Sequence, residues 1–196
     1  MKKYEKTGYL HHDFKIFHLT DHEMSTYDFH YHDFHKLLFF LSGNVTYCIE
    51  GKSYHLTPGD LVLVRAGEVH RPVIHDTTPY ERMIIYVSPD FAVASSDKMV
   101  SLNQCFLPDA AMPSNVLHLS GMKERRLLDT MMELVHSFSE DGFANEIYQN
   151  TLFLEFMIHL NRAALSGTLQ YEDSFQANEK ILSVLTYMNE HLTEDI

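Results

Sequence analysis

Up to about Leu119, the apolar residues of this chain fall in short runs of strand length, separated by turn-forming residues. The runs are rich in β-branched and aromatic side chains, which are typical of strands. Connections such as 42–44 (Ser-Gly-Asn) and 58–60 (Pro-Gly-Asp) are typical of tight turns between antiparallel neighbours. Because parallel strands need long crossovers that this region lacks, the pattern predicts an antiparallel β-barrel or jelly roll. The predicted strands are 14–19, 37–41, 45–49, 53–56, 61–64, 72–74 and 83–87.

From position 120 the apolar spacing becomes helical. Leu127, Met131, Leu134 and Phe138 recur at steps of three and four, and Gly142 marks the end of this first predicted helix. The sequence therefore predicts a mainly β fold followed by helices.

A second helix is predicted from about residue 144 to residue 165. Its middle, residues 152–160, is apolar on nearly all sides. A helix that covers a sheet needs only one apolar stripe. The additional apolar residues of this helix therefore predict burial against a second surface. A subunit interface is the expected surface, which predicts a homodimer. The residues expected there are Leu152, Leu154 and Ile158.

Beyond the helical hairpin, a polar linker precedes a third, short amphipathic helix. A single short helix has no neighbouring elements with which to form a core of its own, so we expect it to be the first helix of a truncated further domain. Docking of a terminal helix on the barrel is the alternative. The predicted regions are a barrel at 1–119, a helical hairpin at 120–167, a linker at 168–177 and the opening helix at 178–196.

The charge of the chain restricts its partners. The 196 residues include 15 Lys and Arg against 27 Asp and Glu, a net charge of -12 that repels the phosphate backbone of DNA. The chain by itself is therefore not expected to bind DNA. Two cysteines, and aliphatic and aromatic runs of at most five residues, predict a reduced cytoplasmic protein without a signal peptide or a membrane span.

Histidines are densest in residues 30–36, His-Tyr-His-Asp-Phe-His-Lys. Because side chains alternate along a strand, His30 and His32 project to one face, and His70 can supply a third imidazole. Neutral imidazoles in this arrangement are good ligands for Zn, Ni, Fe or Cu. Hydrogen-bonded histidines of a ligand pocket give the same pattern, so the sequence leaves both interpretations open.

These residues resemble the two sequence motifs of the cupin barrel. Lys36 stands where the first motif has a glutamate, and Arg65 replaces a proline of the second. The resemblance implies the barrel fold, but an ammonium at Lys36 would compete with a divalent cation at the implied metal site. The residues that match the motifs are His30, His32, Gly43, Gly59, Gly67 and His70.

A narrower resemblance covers nearly the whole chain. Residues 30–43, 56–64, 67–70 and 86–91, together with the helix pair, are similar to the sensor domain of AraC-type transcription regulators. In that family the barrel binds a small effector, often a sugar, the helix pair dimerises, and a C-terminal domain of two helix-turn-helix units binds DNA. Residues 181–196 resemble the opening of that domain, so the resemblance implies that DNA is bound only through a missing part.

Two functions are compatible with these features. The first is an effector-sensing and dimerising region without enzyme activity, whose donor-rich pocket suits a sugar or sugar acid. The second is a small metal-dependent cupin enzyme, a dioxygenase or isomerase, that holds a divalent metal through His30, His32 and His70. The ligand-binding residues expected for the first function are His30, His32, Lys36, Arg65 and His70.

Overall fold

Two β-sheets and a pair of helices form three layers in the computed structural model, which describes residues 4–23, 25–107, 114–119, 125–166 and the backbone of 175–176. The strands of sheet A, in spatial order, are β1 (Glu5–Lys6), β3 (His30–Tyr31), β8 (His70–Ile74), β5 (Val45–Ile49), β6 (Lys52–His55) and β13 (Phe175–Gln176). The strands of sheet B are β12 (Val116–His118), β7 (Asp60–Val64), β4 (His35–Ser42), β9 (Tyr80–Val87) and β2 (Phe14–Asp21). A separate hairpin pairs β10 (Ala92–Ser95) with β11 (Lys98–Ser101).

The central strands of sheet B, β7, β4 and β9, are buried on both faces, which explains their apolar runs. Along β4, Leu37 and Phe39 pack in the core shared with the helices, whereas Leu38 and Phe40 pack in the core shared with sheet A. Strand β5 of sheet A instead alternates buried and half-buried positions, because only one face of that sheet meets the core. The layer order is therefore sheet A, sheet B, helices.

The predicted antiparallel jelly roll is confirmed, with the two sheets as the halves of a cupin-like sandwich. Apart from the short parallel pair of β1 and β3, the strand pairs of the described residues are antiparallel. The two sheets share no ladder in the described residues, so the sandwich is open rather than a closed barrel.

The helical layer consists of α1 (Arg125–Ser137) and α2 (Asn145–Leu165). Met131 and Phe156 belong to the core that these helices share with sheet B. Phe138, which the periodicity assigns to the first helix, lies just beyond its end and is 36% exposed. The helices otherwise lie where the apolar spacing predicts them.

The inward stripe of α2 corrects one predicted interface residue. Leu152 is buried in the core of its own chain, because it shares the inner face with Phe153 and Phe156. Leu152 is therefore not available to a partner. Leu154 is half-buried and Ile158 is 38% exposed, so both retain surface that a second chain can cover.

The predicted third helix, within 178–196, lies outside the described residues. Of the predicted linker, 168–177, the structure describes Phe175–Gln176, whose backbone pairs antiparallel with β6 at the edge of sheet A. None of the helices described in this chain is long and apolar enough to cross a lipid bilayer.

Candidate functional site

A cavity of about 1080 Å³ lies between the two sheets. Lys36 and Leu38 of β4 are paired with Tyr86 and Ile84 of β9, and directly paired residues of antiparallel strands project to the same side. These four side chains form part of the wall contributed by sheet B, and Tyr47 faces them from sheet A. The register of two adjacent strands therefore places a lysine among aromatic and aliphatic groups.

Three histidines meet beside this cavity. His30 and His70 are directly paired across β3 and β8, and their ring centroids lie 4.6 Å apart. The ring of His32 lies 5.1 Å from that of His30 and 5.0 Å from that of His70. One ring nitrogen from each histidine lies within 4.8 Å of the others. His30 and His32 line the cavity, and the fully buried His70 completes the cluster behind its wall.

Backbone carbonyls fix the tautomers of all three rings. Nδ1 of His30 donates to the carbonyl oxygen of Asp28 at 2.8 Å, and Nδ1 of His70 donates to that of Glu68 at 2.9 Å. His32 makes the equivalent bond to the carbonyl oxygen of Thr7. Because a carbonyl only accepts, each Nδ1 carries the proton and each Nε2 keeps its lone pair in the neutral ring. The Nε2 atoms of His32 and His70 are buried without a hydrogen-bond partner among the described residues.

The N-terminal segment supplies part of this arrangement. Strand β1 pairs with β3, which brings the Thr7 carbonyl to His32. Gly8 follows with a φ of +75°, and a Cβ there would lie 3.2 Å from Cζ of Phe34. A larger residue at position 8 would be strained and would crowd the site, so glycine is needed for this close approach.

Burial keeps the cluster neutral. Burial and the nearby Lys36 charge lower the pKa of His70 to about 2, although its bond to Glu68 acts in the opposite direction. Burial likewise lowers the pKa of His32 to about 4 despite the bond to Thr7, and it lowers the pKa of His30. At neutral pH the cluster therefore offers lone pairs rather than positive charge.

Lys36 is 6% exposed and has no hydrogen-bond or ion-pair partner among the described residues. Its ammonium group lies 5.6 Å from the ring centroid of Tyr47. Burial, with a smaller contribution from the Arg82 charge, lowers the pKa of Lys36 to about 7. The cavity wall thus contains a buried amine that none of the described acidic side chains neutralises.

A second cation in the wall is already neutralised. Arg82 is 6% exposed, and one Nη lies 2.7 Å from a carboxylate oxygen of Asp21. The other Nη donates to the carbonyl oxygen of Tyr80 at 2.8 Å. Since Asp21 pairs with Arg82, it does not compensate the charge of Lys36.

The structure brings four of the five predicted ligand-binding residues together and leaves one apart. The four that meet at the cavity are His30, His32, Lys36 and His70. Arg65 follows the last residue of β7, and its guanidinium lies 3.8 Å from the carboxylate of Glu68. Arg65 does not line the cavity, so the structure does not bring it together with the other four.

Sheet topology, rather than local spacing, assembles the histidine cluster. His30 lies on β3 and His70 on β8. The intervening chain forms four strands, of which β5 and β6 belong to sheet A and β4 and β7 to sheet B. The pairing of β3 with β8 brings the two histidines face to face. Their proximity therefore depends on the complete sandwich.

Several residues of the cavity wall were not predicted as ligand-binding residues. Tyr47 and Tyr86 occupy strands, but their side of the sheet cannot be assigned from parity alone. Arg82 precedes the apolar run of β9, and its inward position follows from the register with β4, in which it is paired with Phe40. Thr7 contributes a backbone carbonyl, for which the sequence carries no side-chain signal.

The donor set of the three histidines fits a divalent transition metal. Neutral imidazoles are common ligands for such ions. They are usually oriented by a hydrogen bond from the ring nitrogen that does not bind the metal, here Nδ1, to an acceptor such as a backbone carbonyl. The unpartnered Nε2 atoms of His32 and His70 are the observation that supports this fit. An acidic fourth ligand is absent from the candidate group that the described residues form.

Solved structures with a similar arrangement have low identity and TM-scores below 0.5. Salicylate 1,2-dioxygenase from Pseudoaminobacter salicylatoxidans is 12% identical with a TM-score of 0.42, over 67% of this chain and 43% of the dioxygenase. Hazelnut (Corylus avellana) vicilin is 16% identical with a TM-score of 0.37, over 40% of this chain and 22% of the vicilin. An RmlC-like cupin from Methanocaldococcus jannaschii is 16% identical with a TM-score of 0.35, over 38% of this chain and 70% of the cupin. The match thus spans less than half the length of the dioxygenase and of the vicilin.

Sequence comparison places the chain in a family. No curated protein sequence matches the chain significantly. Residues 12–157, more than half of the chain, match the model of the AraC-like ligand binding domain. This match covers most strands of the two sheets and extends into α2, and the chain belongs to the family of AraC-like ligand-binding domains.

Proposed function

We propose that this chain is the effector-sensing and dimerising region of an AraC-type transcription regulator. In this proposal a small polar molecule binds between the sheets, and the helical layer joins two copies of the chain. Control of DNA binding then belongs to a further domain, since the chain itself carries a net charge of -12. Family membership supports a ligand-binding role, and the cavity supports a small ligand.

The observation that carries the proposal is the chemistry of the cavity wall. A volume of about 1080 Å³ is sufficient for a molecule of sugar size. The imidazole lone pairs of the histidine cluster accept hydrogen bonds from hydroxyl groups, and Lys36 donates to a hydroxyl or pairs with a carboxylate. Aromatic neighbours such as Tyr86 and Tyr47 provide apolar faces for the ring of a sugar. A sugar or sugar acid is therefore the ligand class that we propose.

A screen by thermal unfolding identifies the ligand within this class. The chain is heated with neutral aldoses, uronic acids and alditols, each over a range of concentrations. A ligand of the folded state raises the transition temperature in a concentration-dependent way. The compound with the largest saturable increase is then used for the titration that closes the Discussion.

A second candidate function, a small metal-dependent cupin enzyme, is favoured by the unpartnered Nε2 atoms of His32 and His70. His30, His32 and His70 would hold the ion, which would supply Lewis-acid or redox chemistry to a bound substrate. The lone pairs of the three neutral rings favour this function, whereas the position of Lys36 beside them opposes it when the amine is protonated.

Metal analysis separates the two candidates. If the cluster binds a divalent metal, we expect about one ion per chain in protein purified without a histidine tag and loaded with Zn, Ni, Fe or Cu. His32→Ala should remove that ion, because two imidazoles remain, whereas His22→Ala, at an exposed position, should leave the metal content unchanged. A metal content that is far below one ion per chain after loading, or that is unaffected by His32→Ala, would contradict the enzyme.

A further inference from the structure

The amine of Lys36 is buried beside the cavity in an unusual setting for a lysine. Lysine side chains are rarely fully buried unless they are paired. Lys36 is 6% exposed, and none of the described residues provides an ion pair or a hydrogen bond to Nζ. Its contact in the wall is the aromatic face of Tyr47, 5.6 Å from Nζ to the ring centroid. A stable protein does not need this arrangement, which suggests that the amine faces a ligand.

The charges around Lys36 disfavour the ammonium form. Arg82 is a second cation of the same wall, and its own partner is Asp21, at 2.7 Å. The acidic residues that line the cavity, Glu5 and Asp28, are exposed and form no ion pair with Lys36. A lysine that is desolvated and adjacent to another cation is the setting in which amines act as nucleophiles.

We propose that Lys36 captures a hydroxylated carbonyl compound, such as an open-chain aldose or a uronic acid, by forming a reversible imine. This inference rests on the proposed function, because it names the ligand chemistry of the same cavity. The lone pairs of His30 and His32 accept hydrogen bonds from the hydroxyl groups of this ligand, while its carbonyl carbon lies at the amine.

The reaction needs no further reactant. The Lys36 nitrogen attacks the carbonyl carbon, and a proton moves from nitrogen to oxygen to give a carbinolamine. The hydroxyl group then leaves as water with the proton that remains on the nitrogen, the C=N bond forms, and hydrolysis reverses both steps. The lowered pKa of Lys36, about 7, supports this chemistry, since a neutral amine is the attacking form.

Reductive trapping tests the proposal on the intact chain. The protein is incubated at pH 7 with D-glyceraldehyde and cyanoborohydride, which reduces an imine to a stable secondary amine. Peptide mapping by mass spectrometry then follows each lysine over time. We expect Lys36 to be modified at least about tenfold faster than the exposed Lys15 and Lys98, because Lys36 lies in the ligand cavity and its lowered pKa leaves a large fraction of its amine neutral at pH 7. Glycerol, which has no carbonyl group, should give no adduct.

Variants provide the matched controls. Lys36→Arg keeps the positive charge but cannot form the imine, so it should abolish the fast adduct, whereas Lys98→Arg should leave it unchanged. If Lys36→Arg fails to fold, the peptide map of the unmodified chain remains decisive. Modification of Lys36 at or below the rate of Lys98 would overturn the imine.

The same experiment distinguishes failure of the imine from failure of the proposed function. Saturable binding of alditols or sugars without a fast Lys36 adduct would contradict the imine proposal and would still support the proposed ligand-binding function. A fast adduct with glyceraldehyde, together with loss of that adduct when a bound sugar fills the cavity, would support both.

Discussion

Lowering the pH from 7.5 to 5 is expected to reduce the free energy of unfolding of this protein by about 4 kcal/mol through two buried imidazoles alone, those of His32 and His70. In the folded state the pKa of His32 is about 4 and that of His70 is about 2, against an ordinary value of 6.5. Below pH 6.5 the unfolded chain therefore binds protons that the folded chain rejects, so stability falls as the pH falls. Each of the two rings contributes on the order of 2 kcal/mol by pH 5.

Urea unfolding at several pH values, with a chelator present to exclude metal, measures this effect. The variant His32→Gln should show a flatter dependence on pH, because one buried imidazole is removed. His22→Gln, at an exposed position, should retain the dependence of the unmodified chain. A free energy of unfolding that stays constant between pH 7.5 and pH 5 would contradict the buried, neutral cluster.

Replacing Ile158 by Glu is expected to convert a homodimer into a monomer. Ile147, Ile158 and Leu165 are 68%, 38% and 73% exposed, and with Leu154 they follow one another along α2 at steps of seven, four and seven residues. This spacing places them on one face of the helix, as in the seam of a helix pair. Two copies of the face can cover each other, and an unpaired carboxylate in such an interface costs about 3–5 kcal/mol.

Sedimentation equilibrium at micromolar concentration measures the change. The unmodified chain should sediment at about twice 22.8 kDa, and the Ile158→Glu variant at about 22.8 kDa. Arg126→Glu, which alters charge at an exposed position of α1, is the control and should remain dimeric. A monomer in the unmodified chain, or a dimer that persists in Ile158→Glu, would contradict the interface.

Much of the fold could be predicted because the apolar residues follow two distinct patterns along the sequence. Short apolar runs such as 37–41 and 83–87 mark strands that are buried on both faces, and the step of three to four residues marks α1. The orientation of α2 could not be predicted in the same way, since residues 152–160 are apolar around the helix. Only the packing on sheet B shows that Leu152 faces inward and Ile158 outward.

The site could be predicted only in part, because its residues meet through strand pairing. Alternation along one strand was sufficient to place His30 and His32 on one face, but Arg82 reaches the cavity through the register of β9 with β4. Arg65 is close in sequence to His70, and for that reason it was expected in the pocket. In the structure it lies beside Glu68 and outside the cavity wall. The carbonyl that orients the ring of His32 comes from the backbone of the N-terminal segment, which residue identity does not reveal.

Isothermal titration of the sugar or sugar acid selected by the thermal screen tests the central claim, that the cavity between the sheets is a ligand-binding site. We predict saturable binding at one site per chain, weakened at least about fivefold by Lys36→Met and by His30→Ala, since both side chains line the cavity and each change removes about 1–3 kcal/mol of hydrogen bonding. Arg65→Ala should bind like the unmodified chain, because Arg65 does not line the cavity. Absence of binding across the whole panel, or equal affinities for Lys36→Met, His30→Ala and the unmodified chain, would contradict the account.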